Sequence, residues 1–286
     1  MPSNIALLYS GTAAESPAVQ FSGWLATGLD LNAECSFARD SLAALTPAER
    51  QNYRALLELG GWNEAQEFLV VSSRTPIDTQ SRTAHIAFQA INTTGQISWA
   101  SPLELTAKSD EALSTLAYTS DLVITSFALM PGVLDAAMRL VLVHAGAPLA
   151  VISHAPRSTA INKATIVVAW KPAAATRRAI QHALPILREA AHVYLVAIEG
   201  PTHPPLQPSA QTMGNFLREQ HNVNAEICVL HEADSPEAQL SDFYHAHEAD
   251  VLVMGAYSQS RLQTLLFGSF VKHFMARGDC NVLLVH

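Results

Sequence analysis

Short apolar runs alternate with longer amphipathic stretches through the second half of the chain. The runs at 166–170, 193–198, 225–230, 251–254 and 282–285 hold four to six residues each, too short for a buried helix, and read as strands covered on both faces. Between the first two, residues 177–191 carry Ile180, Ala183, Leu184 and Leu187 at the i, i+3, i+4, i+7 spacing of a helix, and Pro185 should kink it. A proline-rich loop at 201–208 leads to Ser209, read as the N-cap of a helix carrying Met213, Phe216 and Leu217. Ser235 and Pro236 form a cap and first-turn proline, and Leu240, Phe243, Tyr244 and His247 share one face of the helix they open. Five strands alternating with four helices require right-handed crossovers and a parallel sheet with helices on both sides.

The first half repeats this plan in worn form. The run 5–9 stands where 166–170 does, and 120–124 (SDLVI) echoes 249–253 (ADVLV). Gly146-Ala147-Pro148 leads into 149–154 as Gly278-Asp279-Cys280 leads into 281–286, so each half closes on an apolar strand ending in histidine. Two copies of one unit is the economical reading. The predicted fold class is therefore α/β, two tandem Rossmann-like open parallel five-stranded sheets with helices on both faces, one over residues 1–155 and one over 160–286. A connector near 155–163, with Pro156, Ser158, Thr159 and Asn162, is expected to be exposed. Residues 45–107 are harder to parse: 47–59 reads as helical, 68–71 as helix or strand, and 85–91 and 96–100 as ambiguous runs around Thr93-Thr94-Gly95. The closing strands, 149–153 and 281–285, are expected to pack together as an internal pseudo-dimer, since each would otherwise leave an apolar sheet edge open.

Composition narrows the function classes. With 286 residues and 49% hydrophobic content the chain can bury a core for two domains. A formal charge of −8, from 17 Lys+Arg against 25 Asp+Glu, offers no basic stripe for nucleic acid. Cys35, Cys228 and Cys280 are odd in number and widely spaced, which indicates neither a disulfide framework nor a zinc site. Of the twelve histidines, His245 and His247 are the closest pair, but on a helix residues two apart point in different directions, and no HExxH occurs, so no metal is expected. The N-terminus lacks a cationic region and a long apolar run, and no run approaches the ~20 residues of a membrane span, so a cytoplasmic protein is expected.

The candidate chemistry lies in 249–286. After the strand 251–254 come Gly255, a loop, and then Gly268-Ser269 opening a helix before the last strand. In an open parallel sheet ligands sit beyond the carboxyl ends of the strands, and a helix start offers bare amides to an anion. Here the chain resembles the universal stress protein family, whose nucleotide loop is G-x2-G-x9-G-[S/T]. Gly255 matches the first glycine and Gly268-Ser269 the closing pair, while Ser258 stands at the second glycine with the nine-residue spacing kept. In the first half Ser126 takes the place of Gly255 and no Gly-Ser pair follows, so that copy is expected to hold no nucleotide.

The resemblance implies a fold like that of the adenine nucleotide alpha hydrolases and a site for ATP or AMP, a ligand some members bind and others do not. Carried over, the site comprises Trp170, Lys171, Ile198, Met254, Gly255, Ser258, Ser260, Arg261, Gly268, Ser269 and Phe270. One departure is plain: members that bind ATP usually end their first strand on an aspartate, where Lys171 stands here. Lys171 is thus expected either to face a phosphate or to be solvated. Three function classes remain: a non-catalytic stress-response protein that binds or senses an adenine nucleotide, a nucleotide-free scaffold for an unspecified protein partner, and a weak ATPase. The last ranks lowest because no Walker, HExxH or G-x-S-x-G pattern supplies catalytic machinery. Beside the internal pair, a homodimer of the chain is left open.

Overall fold

The structure is a computed structural model that describes residues 4–9, 13–37, 77–92, 95, 97–99, 110–128, 134, 138–200, 205–231, 235–256 and 268–286. The expectations for 47–59 and 68–71, and Ser258, Ser260 and Arg261, lie outside the described residues.

The first half contributes β1 (Asn4–Tyr9), α1 (Ser16–Leu29), β2 (Asn32–Phe37), α2 (Ile77–Ile91), β3 (Ile97–Trp99), α3 (Asp110–Tyr118), β4 (Leu122–Ser126), a π-helical segment (Met138–His144) and β5 (Leu149–Ile152). The second contributes β6 (Thr165–Trp170), α4 (Ala174–Glu189), β7 (His192–Glu199), α5 (Gln207–His221), β8 (Ala225–His231), α6 (Pro236–Ala246), β9 (Val251–Gly255), α7 (Ser269–Arg277) and β10 (Val282–Val285). Among the described residues no helix is long and apolar enough to cross a membrane.

The strands form one ten-stranded sheet in the order β3-β2-β1-β4-β5-β10-β9-β6-β7-β8. Two separate sheets were expected, and the sheet count is corrected to one. Within each half every pairing is parallel, in the same relative order, and the sole antiparallel junction among the described strands is the seam between β5 and β10. There Val282 faces Val151, Leu283 faces Ala150 and Leu284 faces Leu149, so the two closing strands do pair. The cause is the need of each last strand for partners for its outward N–H and C=O groups.

Strand alternation divides the core between the two faces. Ile166 and Val168 of β6 join Phe21 and Leu25 of α1, Phe88 of α2, Ile180 and Leu187 of α4 and Leu217 of α5. Val167 joins Leu113 of α3, Val141 and Leu142 of the π-helical segment, Leu240 and Tyr244 of α6 and Phe274 of α7 on the other. The expected stripe of α4 is present, with Ile180, Ala183 and Leu187 buried, and the helix continues through Pro185.

The connector is exposed at Arg157, Thr159, Asn162 and Lys163, as expected, but it is anchored. Ile161, in a 3-10 turn (Ile161–Lys163), is only 4% exposed. It lies so close to α1 that a Cβ on Gly28 would come within 2.7 Å of it. The backbone before it is pinned by Asp250, whose Oδ1 accepts from the N–H groups of Arg157 at 2.7 Å and Ser158 at 2.8 Å while Oδ2 accepts from Thr165 at 3.0 Å. A carboxylate buried to 1% exposure needs such donors, and the connector supplies them. Of the ambiguous runs, 85–91 lies in α2 and 97–99 forms β3.

Candidate functional site

The carboxyl ends of β6, β7 and β9 lie side by side, with Trp170 level with Ala197 and β9 ending on Gly255. The start of α7 closes this edge in sequence, and its Gly268-Ser269 pair occupies the N-cap and first helical positions. The backbone N–H of Lys272 is bonded to the Gly268 carbonyl at 3.0 Å. The amides of Ser269, Phe270 and Val271 before it have no carbonyl within the helix, as at any helix start.

The two motif glycines stand in different surroundings. A Cβ on Gly255 would lie 2.9 Å from the carbonyl carbon and Cβ of Ala175 and from the Thr176 nitrogen. That residue is glycine because the first turn of α4 packs directly on it. A Cβ on Gly268 would meet nothing within 4 Å among the described residues, and its φ of −59° is open to any residue. Nothing in the described fold requires glycine there.

The other predicted residues divide by sheet face. Met254 is buried, and Ile198 and Phe270 are half-buried, all against the core that includes α6 and α7. Trp170 is turned the other way: its ring is 8% exposed in the core beneath α4 and α5, and Nε1 donates to Ser209 Oγ at 3.0 Å. Strand periodicity explains this, since Trp170 has the parity of Ile166 and Val168. Lys171, immediately beyond, is exposed. Ser269 is also exposed.

Three residues at this edge behave differently from the sequence reading, or escaped it. Ser209 is not a cap, because α5 begins at Gln207; its hydroxyl instead donates to the Leu206 carbonyl at 2.7 Å and accepts from Trp170. The start of α5 is served by Glu199, whose Oε1 accepts from the N–H groups of Leu206 at 2.6 Å and Gln207 at 2.8 Å. Glu237 sits in the first turn of α6, with Ser235 Oγ 3.4 Å from its Oε2. Partial burial pushes the Glu237 carboxyl up. The Ser269 hydroxyl, its own backbone N–H, the Ser235 hydroxyl and nearby His273 outweigh that and hold it below the usual carboxylate range. The expected cap of α6 is present, the Ala238 N–H donating to Ser235 Oγ at 3.2 Å. Placing an acidic residue two positions after a cap was the available signal for Glu237; its meeting with Ser269, 32 positions on, had none.

A second polar cluster lies at the opposite, amino end of β10. One ligand-type atom each from His245, Asp279 and Cys280 falls within 4.8 Å of the others. Two guanidinium groups already engage it: Arg157 Nη2 lies 3.1 Å from His245 Nδ1, and Arg277 Nε donates to Asp279 Oδ2 at 2.8 Å. Burial, with Asp279 beside it, pushes the Cys280 thiol up to about 12. A metal-bound imidazole normally donates its second nitrogen to an acceptor, whereas here that nitrogen faces a cation, so the set reads as an ion-pair network. His247 takes no part, its ring stacking on Phe243 at 3.9 Å between centroids.

A parallel-dominated sheet with helices on both faces, and a glycine-serine helix start at its carboxyl edge, defines an α/β protein of the doubly wound class. Residues 164–286 match the model of the universal stress protein family. Among solved structures, a universal stress protein from Archaeoglobus fulgidus DSM 4304 superimposes with a TM-score of 0.67 at 10% identity, covering 99% of this chain and 97% of that one. A putative universal stress protein from Pseudomonas aeruginosa UCBPP-PA14 does so with a TM-score of 0.57 at 13% identity, covering 99% and 93%. At such identities the likeness is one of fold. Comparison with curated proteins gave no match.

Proposed function

We propose that the chain is a tandem universal stress protein whose second half, within 160–286, binds one adenine nucleotide, ATP or AMP, without turning it over. In this reading the first half, within 1–155, is a structural partner. Coverage of nearly the whole of two relatives' chains supports the tandem arrangement. The observation that carries the nucleotide reading is Gly268: its absent side chain answers to no packing neighbour among the described residues, yet it sits at the cap of a helix whose first amides are available to an anion. Backbone that must come close to a ligand is a place where glycine is needed without any protein contact to explain it. Ile198, Met254 and Phe270 share the face on which an adenine would pack, Lys171 is exposed beyond β6 to meet phosphates, and Ser258, Ser260 and Arg261 complete the carried-over set.

The alternative of a nucleotide-free scaffold draws support from Gly255 and Trp170, both of which the packing explains without a ligand. Calorimetry separates the two. ATP or AMP is expected to bind with a stoichiometry near one per chain, and Gly268→Val to remove that binding while leaving the circular dichroism and melting midpoint in place. A stoichiometry near two would overturn the one-site reading, and silence at millimolar nucleotide would establish the scaffold. Survival of affinity in Gly268→Val would remove α7 from the site.

A further inference from the structure

We propose that Glu237 decides which ligands this crevice accepts, its carboxylate holding the Ser269 hydroxyl and setting a negative charge beside the anion position at the start of α7, and so discriminating against polyphosphates. The inference rests on the nucleotide reading above. The start of α7 has the three elements of an anion seat: first-turn amides, a serine hydroxyl at the first helical position and the positive end of the helix dipole. The chain already brings an anion to it. Helix α6 packs beside α7, and Glu237 in its first turn faces both the Ser269 hydroxyl and His273, one turn further along the same helix. Ser235 Oγ, 3.4 Å from Glu237 Oε2, holds the carboxylate from its own side.

The setting makes this charge persistent. The surrounding hydroxyls and His273 favour the ionised form. A phosphate entering the same position would meet a fixed negative charge at close range and would have to take Ser269 from it. That repulsion grows with each charge on the ligand, so a triphosphate is penalised most, a monophosphate less, and an uncharged nucleoside least. Lys171, exposed beyond β6, does not remove the contrast, because an exposed ammonium is screened by solvent more than a carboxylate held at the helix start. The crevice thus suits a nucleoside or nucleoside monophosphate.

Glu237→Gln keeps the shape of the side chain and one acceptor oxygen, replaces the other oxygen by a donor and removes the charge. Binding of ATP, AMP, adenosine and inorganic pyrophosphate would be measured calorimetrically for wild type, Glu237→Gln and Glu237→Ala, with a melting curve for each. The expected result is that ATP affinity relative to adenosine rises by about 10-fold or more in both variants, and that pyrophosphate, weak on the wild type, binds both. Two variants guard against one that fails to fold. An ATP-to-adenosine ratio unchanged within about 2-fold, with ATP bound equally by wild type and variants, would overturn the inference and leave the nucleotide reading standing. Pyrophosphate binding gained by the variants and lost again with Ser269→Ala, while no protein binds adenosine, would support the role of Glu237 and defeat the nucleotide reading. No binding of any probe by any variant would defeat both.

Discussion

At the scale of single residues, the most consequential placement is His154, the residue with which the first half closes. Its Nδ1 lies 2.9 Å from the Ala155 carbonyl and its Nε2 3.1 Å from the Tyr244 hydroxyl. In the neutral ring Nδ1–H donates to the carbonyl and Nε2 accepts from the phenol, so both nitrogens are satisfied without a charge. Burial first, and then Arg157 and His245, pull the His154 pKa below its usual 6.5, against the opposing effects of the Ala155 carbonyl and Asp250. A histidine lowered in the folded state leaves stability whole above pH 6.5 and removes it as pH falls through the folded value, because the unfolded chain takes up the proton first. His182 and His286 shift in the same direction, also led by burial. Thermal melting between pH 8 and 5 should therefore show a midpoint that falls on the acid side. His154→Gln, which retains an acceptor and a donor, should make that fall shallower without abolishing it. A slope identical to wild type would show that His154 titrates as freely in the folded chain as in the unfolded one.

At the scale of elements, Gly255 joins β9 to α4. An added methyl has to intrude on helix backbone at 2.9 Å, and a rigid first turn cannot swing aside as a side chain could. Gly255→Ala should cost about 1–3 kcal/mol in urea unfolding, the range for overpacking a tight site. A loss below about 0.5 kcal/mol would mean that α4 slides on the sheet at little cost. This element contact also shows where sequence reading ends. The strands of the second half were legible because two-sided burial makes them continuous apolar runs, as in Val251 to Gly255. β2 escaped because its sequence, NAECSF, is broken by polar residues. Burial of Cys35 and Ser36 comes from tertiary packing that local composition does not announce. The candidate site was named from the spacing of Gly255, Gly268 and Ser269. Its chemistry was not legible, because the facing of Glu237 and Ser269 and the turning of Trp170 towards Ser209 arise only when separate elements meet.

At the scale of the whole molecule, everything turns on the seam, where three residue pairs join two otherwise parallel five-stranded halves into one sheet. Polar ties reinforce one end of it: Asn281 Oδ1 accepts from the N–H groups of Ser153 at 2.9 Å and His154 at 3.1 Å, and Ser153 Oγ donates to the Cys280 carbonyl at 2.7 Å. In the middle the contact is apolar, with Leu283 only 4% exposed opposite Ala150 and beneath Phe21 and Leu25 of α1 and Ile186 of α4. An ammonium placed there enters a cavity whose lining is apolar apart from Asp121 and His182, and the walls from both halves would have to part to hydrate it. Leu283→Lys should therefore break the β5–β10 pairing before it unfolds either half. The halves would stay tethered by the connector, whose effective concentration of order millimolar keeps them near each other without restoring the sheet. Small-angle scattering should show a larger radius of gyration. Hydrogen exchange should show the amides of β5 and β10 losing protection while those of β1 and β6 keep theirs. The freed edges are apolar and unpaired, so the variant should also aggregate at concentrations where the wild type does not. A Leu283→Lys protein as compact as wild type, with β5 and β10 still protected, would show that the seam tolerates a charge and that the halves are held together elsewhere.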